Sequence, residues 1–251
     1  MPWGGPLKDA SPPRALENIV IFALELRYAG FVTAPSRKMP VLFVGHGNPM
    51  NAVADNAFTQ RLTALGEEIP HPKAVLCISA HWMTEGTWVT GMEKPKTIHD
   101  FYGFPPAFFA VQYPAPGDPG VARFIERSIS DPHLGQRLRR LRSDGILVLG
   151  NGNIVHNLRR ANFSDDAKPF PWAIEFDEWV KARLIARDFA SLVNDATKYA
   201  VGKLSIPTPE HWYPFLCALG AAEPDEPLRF EYEGVENASI SMRCVSFGMP
   251  A

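Results

Sequence analysis

The chain has 251 residues, of which 46% are hydrophobic and 11% aromatic, enough for one sizeable core. With 25 basic and 27 acidic residues its formal net charge is −2, which gives no electrostatic footprint for nucleic acid or an anionic membrane. Cys77, Cys217 and Cys244, without C-x-x-C spacing, argue against a disulfide framework or a thiolate metal site and point to the cytoplasm.

Residues 1–38 differ from the rest. Pro2, Pro6, Pro12 and Pro13 exclude early regular structure. The apolar run Ile19 to Leu26 is too short and too charged for a membrane span, and it lacks the small-residue cleavage site of a signal peptide. Met39-Pro40-Val41-Leu42-Phe43-Val44 then begins a clean strand. Residues 1–38 are therefore expected to be an appendage, and 39–251 the compact domain.

Val41 to Val44 reads as a buried strand ending in Gly45-His46-Gly47. Residues 56–65 have helical character, with Gly66 as the stop. Ala74 to Ser79 is a second buried strand running to His81, and Thr87 to Met92 continues as strand. Residues 94–118 carry Pro95, Pro105, Pro106, Pro114 and Pro116 among aromatics, a long ordered loop of the functional kind. Helices are predicted over 119–129 and from the Asp131-Pro132 cap to about Arg142. Arg137, Arg139, Arg140 and Arg142 on the second read as a solvated face.

Ile146 to Leu149 is a third buried strand, followed by Gly150-Asn151-Gly152-Asn153 and His156. Trp172, Phe176, Trp179, Val180 and Leu184 follow helical spacing. Thr208-Pro209-Glu210-His211 opens a helix to Leu219, closed by Gly220. Leu228–Tyr232 and Ser239–Phe247 alternate as strands. Apolar strands alternating with helices indicate a single-domain α/β fold, its parallel or mixed central sheet covered by helices on both faces.

Seven histidines are present. His46, His81 and His156 each follow a predicted strand, and His211 sits in the first turn of a predicted helix. Open α/β sheets bind ligands beyond the carboxyl ends of their strands. The positive end of a helix disfavours imidazolium, and neutral imidazole is the common protein ligand of zinc, iron and copper. His46, His81, His156 and His211 are therefore expected to build one mononuclear metal site, although any one alone reads as an ordinary polar residue at an element's end. His71 and His133 keep that ordinary reading. His99, in Thr97-Ile98-His99-Asp100-Phe101-Tyr102, reads equally as loop structure or as a catalytic group on the substrate side. Asp100 would orient an imidazole there, and Phe101, Tyr102 and Phe104 would wall an aromatic ring.

Several segments together resemble the 4,5-DOPA extradiol dioxygenase family, in the superfamily of protocatechuate 4,5-dioxygenase. They are Gly45-His46-Gly47-Asn48-Pro49-Met50-Asn51, Ile78-Ser79-Ala80-His81-Trp82, Thr97-Ile98-His99-Asp100-Phe101, Tyr113-Pro114-Ala115-Pro116-Gly117, Gly152-Asn153-Ile154-Val155-His156-Asn157-Leu158-Arg159 and Pro207-Thr208-Pro209-Glu210-His211. Each is weak alone; the ordered set is specific and covers most of residues 39–251. The resemblance implies one non-haem iron(II), or zinc(II) as in bacterial relatives, held by His46, His81 and His211. It makes His156 either a fourth ligand or the acid/base. The substrate it implies is a small aromatic diol such as DOPA, opened with O2 beside rather than between its hydroxyls. Redox-inert zinc would not support that reaction. Asn48, Asn153 and Asn157 are candidate donors around the ligands, or turn formers.

One departure stands out. Between Tyr113-Pro114-Ala115-Pro116 and Asn153-Ile154-Val155-His156 the family carries a further segment with a Gly-Leu/Phe-Asp-His-Gly motif and a core strand. This chain runs instead from Pro119 into helices. A complete metal site with impaired turnover is thus one further reading. Another is a zinc-dependent hydrolase using Glu210 or Asp100 as base, although no H-E-x-x-H element is present.

Overall fold

A computed structural model describes residues 20–25, 38–99, 101, 103–129, 134–164 and 166–250. Within these the chain forms β1 (Val20–Glu25), β2 (Val41–Gly45), α1 (Ala57–Glu68), β3 (Ala74–Ser79), β4 (Trp88–Val89), α2 (Pro106–Phe109), α3 (Pro119–Ile129), α4 (Leu134–Ser143) and β5 (Ile146–Gly152). It continues with α5 (Pro171–Ile185), α6 (Phe189–Asn194), α7 (Ala200–Ser205), α8 (Tyr213–Ala221), β6 (Leu228–Tyr232), β7 (Val235–Glu236), β8 (Ile240–Ser241) and β9 (Cys244–Phe247).

Seven strands make one mixed sheet in the order β4-β1-β3-β5-β2-β9-β6, and β7 pairs with β8 beside it. Central β5 runs parallel to both β3 and β2, with Ile146 opposite Ala74 and Val148 opposite Val41. β9 returns antiparallel to β2, and β6 antiparallel to β9. The carboxyl ends of β3, β5 and β2 therefore share one edge, where a single-domain α/β fold places its ligands.

The strands read as continuous apolar runs because both of their faces are covered. Val41, Phe43, Leu76, Ile78, Ile146 and Val148 turn to one side, packed with Leu138 and Leu141 of α4, Phe176 and Val180 of α5, and Phe215 and Ala218 of α8. Leu42 and Leu147 turn to the other, against Leu65 of α1, Met39 and Met249. Fully burying one such side chain is worth about 1.5–3 kcal/mol. Among the described residues no helix is long and apolar enough to cross a membrane.

Several sequence expectations shift. The sheet takes β1 from the stretch before Met39, pairing it antiparallel with β3 from Val20 opposite Ser79 to Glu25 opposite Ala74. The rest of residues 1–37 lie outside the described residues, as do the Asp131-Pro132 cap and His133. Helix α1 passes through Gly66 to Glu68. A glycine costs a helix about 1 kcal/mol, which the Asn56–Thr59 capping box and burial of Phe58 and Leu65 offset. The strand expected over Thr87–Met92 shrinks to β4.

Arg142 is not on a solvated face. Its side chain is only 1% exposed. Its guanidinium donates to both carboxylate oxygens of Glu226 at 2.7 and 2.8 Å, and to the carbonyls of Met39 and Ala221, each at 2.7 Å. Burial alone would raise the pKa of Glu226; the bonds from Arg142, the Glu223 amide and Lys38 outweigh it and hold the carboxyl below its usual value. This pair ties α4 to the end of α8 and to the strand entering the sheet. Arg142→Ala would strip the Glu226 carboxylate of its guanidinium partner and take a donor from each of two carbonyls, and is expected to destabilise the fold by about 3–5 kcal/mol in chemical denaturation.

Candidate metal centre

The site grows from the shared strand edge. The His46 amide donates to the Gly152 carbonyl at 3.1 Å, and the Ala80 amide to the Asn151 carbonyl at 3.0 Å. The ladder pairing thus continues to the threshold of each loop, and His46 and His81 rise on opposite sides of β5. Their Nε2 atoms are 3.1 Å apart.

His211 reaches the same point from the turn before α8. The sequence places it in that helix's first turn, but the helix begins at Tyr213, behind a turn in which the Trp212 and Tyr213 amides both bond the Pro209 carbonyl. Two glycines let this turn lie flat on β5. A Cβ at Gly150 would stand 2.4 Å from the Pro214 carbonyl oxygen, and one at Gly152 would stand 2.3 Å from that of His211. The Asn153 amide bonds the same His211 carbonyl at 3.1 Å. Gly152→Ala must push the turn off the strand. Its expected result is a loss of metal affinity of about 10-fold or more, the range seen when a ligand's support is removed, measured by chelator competition.

One ligand nitrogen each from His46, His81 and His211 lie within 4.8 Å of one another. Their rings are inclined at 51° (46 and 81), 49° (46 and 211) and 83° (81 and 211). An imidazole lone pair lies in its ring plane, so steeply inclined rings can aim at one point. The spacing of the two Nε2 atoms suits neighbouring ligands bonded at about 2.0–2.1 Å to one ion. Electrostatics agree with the geometry. Burial pushes the pKa of His46 well below its ordinary value, and His211, His81 and His156 push it the same way. Clustered imidazoles cannot all be charged, and the neutral form is the one that ligates.

His156 meets the cluster differently. Its ring stacks on His211 with centroids 3.5 Å apart and planes 13° apart. Burial, then His211, lowers its pKa to about 3. Nitrogens of His156 and His211 and an oxygen of Glu210 also lie within 4.8 Å of one another. Nearly parallel rings, however, hold their lone pairs in parallel planes, which do not meet at one ion. Glu210 accepts from the Thr208 hydroxyl at 2.5 Å and stands 3.5 Å from His211 Nδ1. Burial would raise its pKa, but the bonds from His211 and Thr208 outweigh it and bring it down to about 2. A carboxylate facing a ligand imidazole fixes the ring's orientation.

The remaining described candidates belong to neither group of possible ligands. His99 Nε2 bonds the Val111 carbonyl at 2.8 Å, which requires the proton on that nitrogen. Phe101 and Phe109 flank its ring, and Phe104 and Phe108 continue the cluster. Asp100 and Tyr102 lie outside the described residues. Asn48 caps a short 3-10 turn by accepting from Met50. Asn153 and Asn157 are buried and donate to the carbonyls of Ser241 and Leu204. The three cysteines are free, and burial pushes each thiol up to about 12. Two open surface grooves, along Pro95, Pro114 and Pro116 and between Trp88 and Arg123, contain none of these histidines.

Sequence reasoning passed over Glu236. Its carboxylate accepts the Asn48 amide at 3.1 Å and the Asn51 side-chain amide at 3.2 and 3.3 Å, beneath the His46 loop. A lone glutamate in a two-residue strand carries no spacing signal.

No family model matches the chain. It is 39% identical over 261 residues to a protein named 4,5-DOPA dioxygenase extradiol from Escherichia coli (strain K12), covering 85% of this chain and 96% of that protein. The aligned span exceeds the part of this chain that it uses, so several dozen positions of that relative have no partner here. A protein of the same name from Beta vulgaris is 30% identical over 230 residues, covering 72% of this chain and 85% of the relative. The crystal structure of an uncharacterized protein from Escherichia coli K12 superposes with a TM-score of 0.72 at 34% identity, covering 84% of this chain and all of that one. Sequence, fold and the histidine cluster lead to one assignment: the chain belongs to the 4,5-DOPA extradiol dioxygenase family.

Proposed function

We propose that this protein is an extradiol ring-cleavage dioxygenase that opens a small, DOPA-like catechol with O2. One metal ion would be held by His46, His81 and His211, with His156 as the acid/base. The observation that carries the reading is the contrast in ring geometry: three imidazoles steeply inclined to one another with ligand nitrogens within 4.8 Å, and a fourth stacked on His211. The relatives' names supply the reaction class.

His46, His81 and His211 would hold iron(II), which would supply Lewis acidity towards the catechol and the redox chemistry that O2 needs. The chain's own residues do the rest. Neutral ligands leave the site's positive charge intact for a catecholate. His156, held neutral, has a lone pair for a catechol proton. A catecholate beside it raises the imidazole's pKa, so the proton can be held and later returned. His99 and its aromatic neighbours are proposed to flank the substrate ring. Glu210 is proposed to orient His211 rather than to act as a hydrolytic base, since Thr208 and His211 already engage its carboxylate.

The test is direct. Protein purified without oxygen and loaded with one equivalent of iron(II) should, on addition of O2 and DOPA, form a yellow ring-opened semialdehyde and consume one O2 per DOPA. Tight iron(II) binding with no oxygen uptake on any catechol would replace this reading with that of a metal-binding member lacking turnover.

A further inference from the structure

We infer that Glu236 is a positioning residue for the metal centre: its carboxylate fastens the His46 loop to a hairpin that also fastens the His156 loop. The inference rests on the reading that His46 is a ligand.

The His46 loop is held by few bonds of its own. Gly47 adopts a φ of 63°, and a Cβ there would stand 2.7 Å from Glu236 Oε2, so backbone and carboxylate are in close approach. Oε2 takes the Asn48 amide, and both oxygens take the side-chain amide of Asn51. That amide also reaches the carbonyl of His46 itself at 3.4 Å, while Asn51 Oδ1 accepts from Asn56 at 3.0 Å. Asn51 therefore cannot turn its amide round without losing the Asn56 bond. The chain from Glu236 to the His46 carbonyl has one polarity only.

The β7–β8 hairpin then carries the constraint to His156. The Ser241 amide donates to Val155 at 2.9 Å, and the Asn157 amide to Ser239 at 3.3 Å. The Ser239 hydroxyl donates to the Asn157 carbonyl at 2.9 Å, and Asn153 donates to Ser241 at 2.9 Å. His156 itself bridges to Ile240. One short hairpin thus sets the distance between the loop of a proposed ligand and the loop of the proposed acid/base. Glu236 is its only carboxylate. It acts through backbone, not on the ion.

The experiment compares zinc(II) affinity, by chelator competition, in the wild type, Glu236→Ala, Glu236→Gln, Asn51→Ala and the pair Glu236→Gln with Asn51→Ala. Metal-free thermal midpoints are recorded alongside. Alanine should weaken zinc binding by about 10–100-fold, the cost of losing an outer support. Glutamine keeps an acceptor for Asn48 but opposes its NH2 to that of Asn51, so it should fall between. The pair has no amide at position 51 for the glutamine NH2 to oppose, so it should bind zinc within twofold of Asn51→Ala alone. Affinity within twofold of wild type in folded Glu236→Ala would overturn the inference. So would a pair that binds zinc more than twofold more weakly than Asn51→Ala alone. Should alanine fail to fold, glutamine and the pair decide it alone. A wild type that binds no zinc would instead remove the metal reading beneath it.

Discussion

Alanine at His81 is expected to lower iron(II) or zinc(II) affinity by more than about 100-fold, beyond the range for outer supports alone, and to abolish ring opening. Three imidazoles make up the proposed donor set, and the neighbouring carboxylate of Glu210 is already engaged by Thr208 and His211. His81 is the informative position because it is exposed, whereas His211 is buried. Its loss should leave the metal-free thermal midpoint near that of the wild type, so that lost binding cannot be mistaken for lost folding. His46→Ala and His211→Ala should lose the ion equally, with some cost in stability from the cavities they leave. Metal content after equilibrium dialysis against a weak chelator gives the answer. An His81→Ala protein that keeps one equivalent at wild-type affinity would show that the cluster is not the site.

His156→Phe separates the two roles left open for that residue. Phenylalanine preserves the stacked ring against His211 and removes the nitrogens. If His156 carries protons, the variant should bind metal within about 10-fold of the wild type while kcat falls by about 10²–10⁴-fold, the usual contribution of general acid–base catalysis. If it is a fourth ligand, affinity should fall along with turnover. The 13° between its plane and that of His211 favours the first outcome.

Much of this was legible in the chain. β2, β3 and β5 are apolar runs that the sheet buries as their patterns require, whereas in β6 the buried residue is Glu231; the histidines after β2 and β3 fall on one edge because those strands are parallel to β5. Composition misled at Arg142: three other arginines nearby suggest a wet face, but its partner Glu226 is 84 residues away and no local pattern announces it. Helices α6 and α7 have six residues each, too short for periodicity to register. The distinction between ligand and acid/base at His156 is a matter of angle between ring planes, which no spacing encodes. Gly150 and Gly152 stand in plain view, but what they make room for is the His211 turn, some sixty positions later.

The strand order has a consequence for biosynthesis. β2 leaves the ribosome well before both of its neighbours, β5 and β9, and β9 ends at Phe247. Until that segment has left the exit tunnel, one side of β2 lacks its partner, and the hairpin beneath its loop has nothing to anchor it. A nascent chain exposing Gly45-His46-Gly47 would therefore present the proposed ligand His46 without its support. Capture of an ion at the proposed site would follow the pairing of β9 with β2.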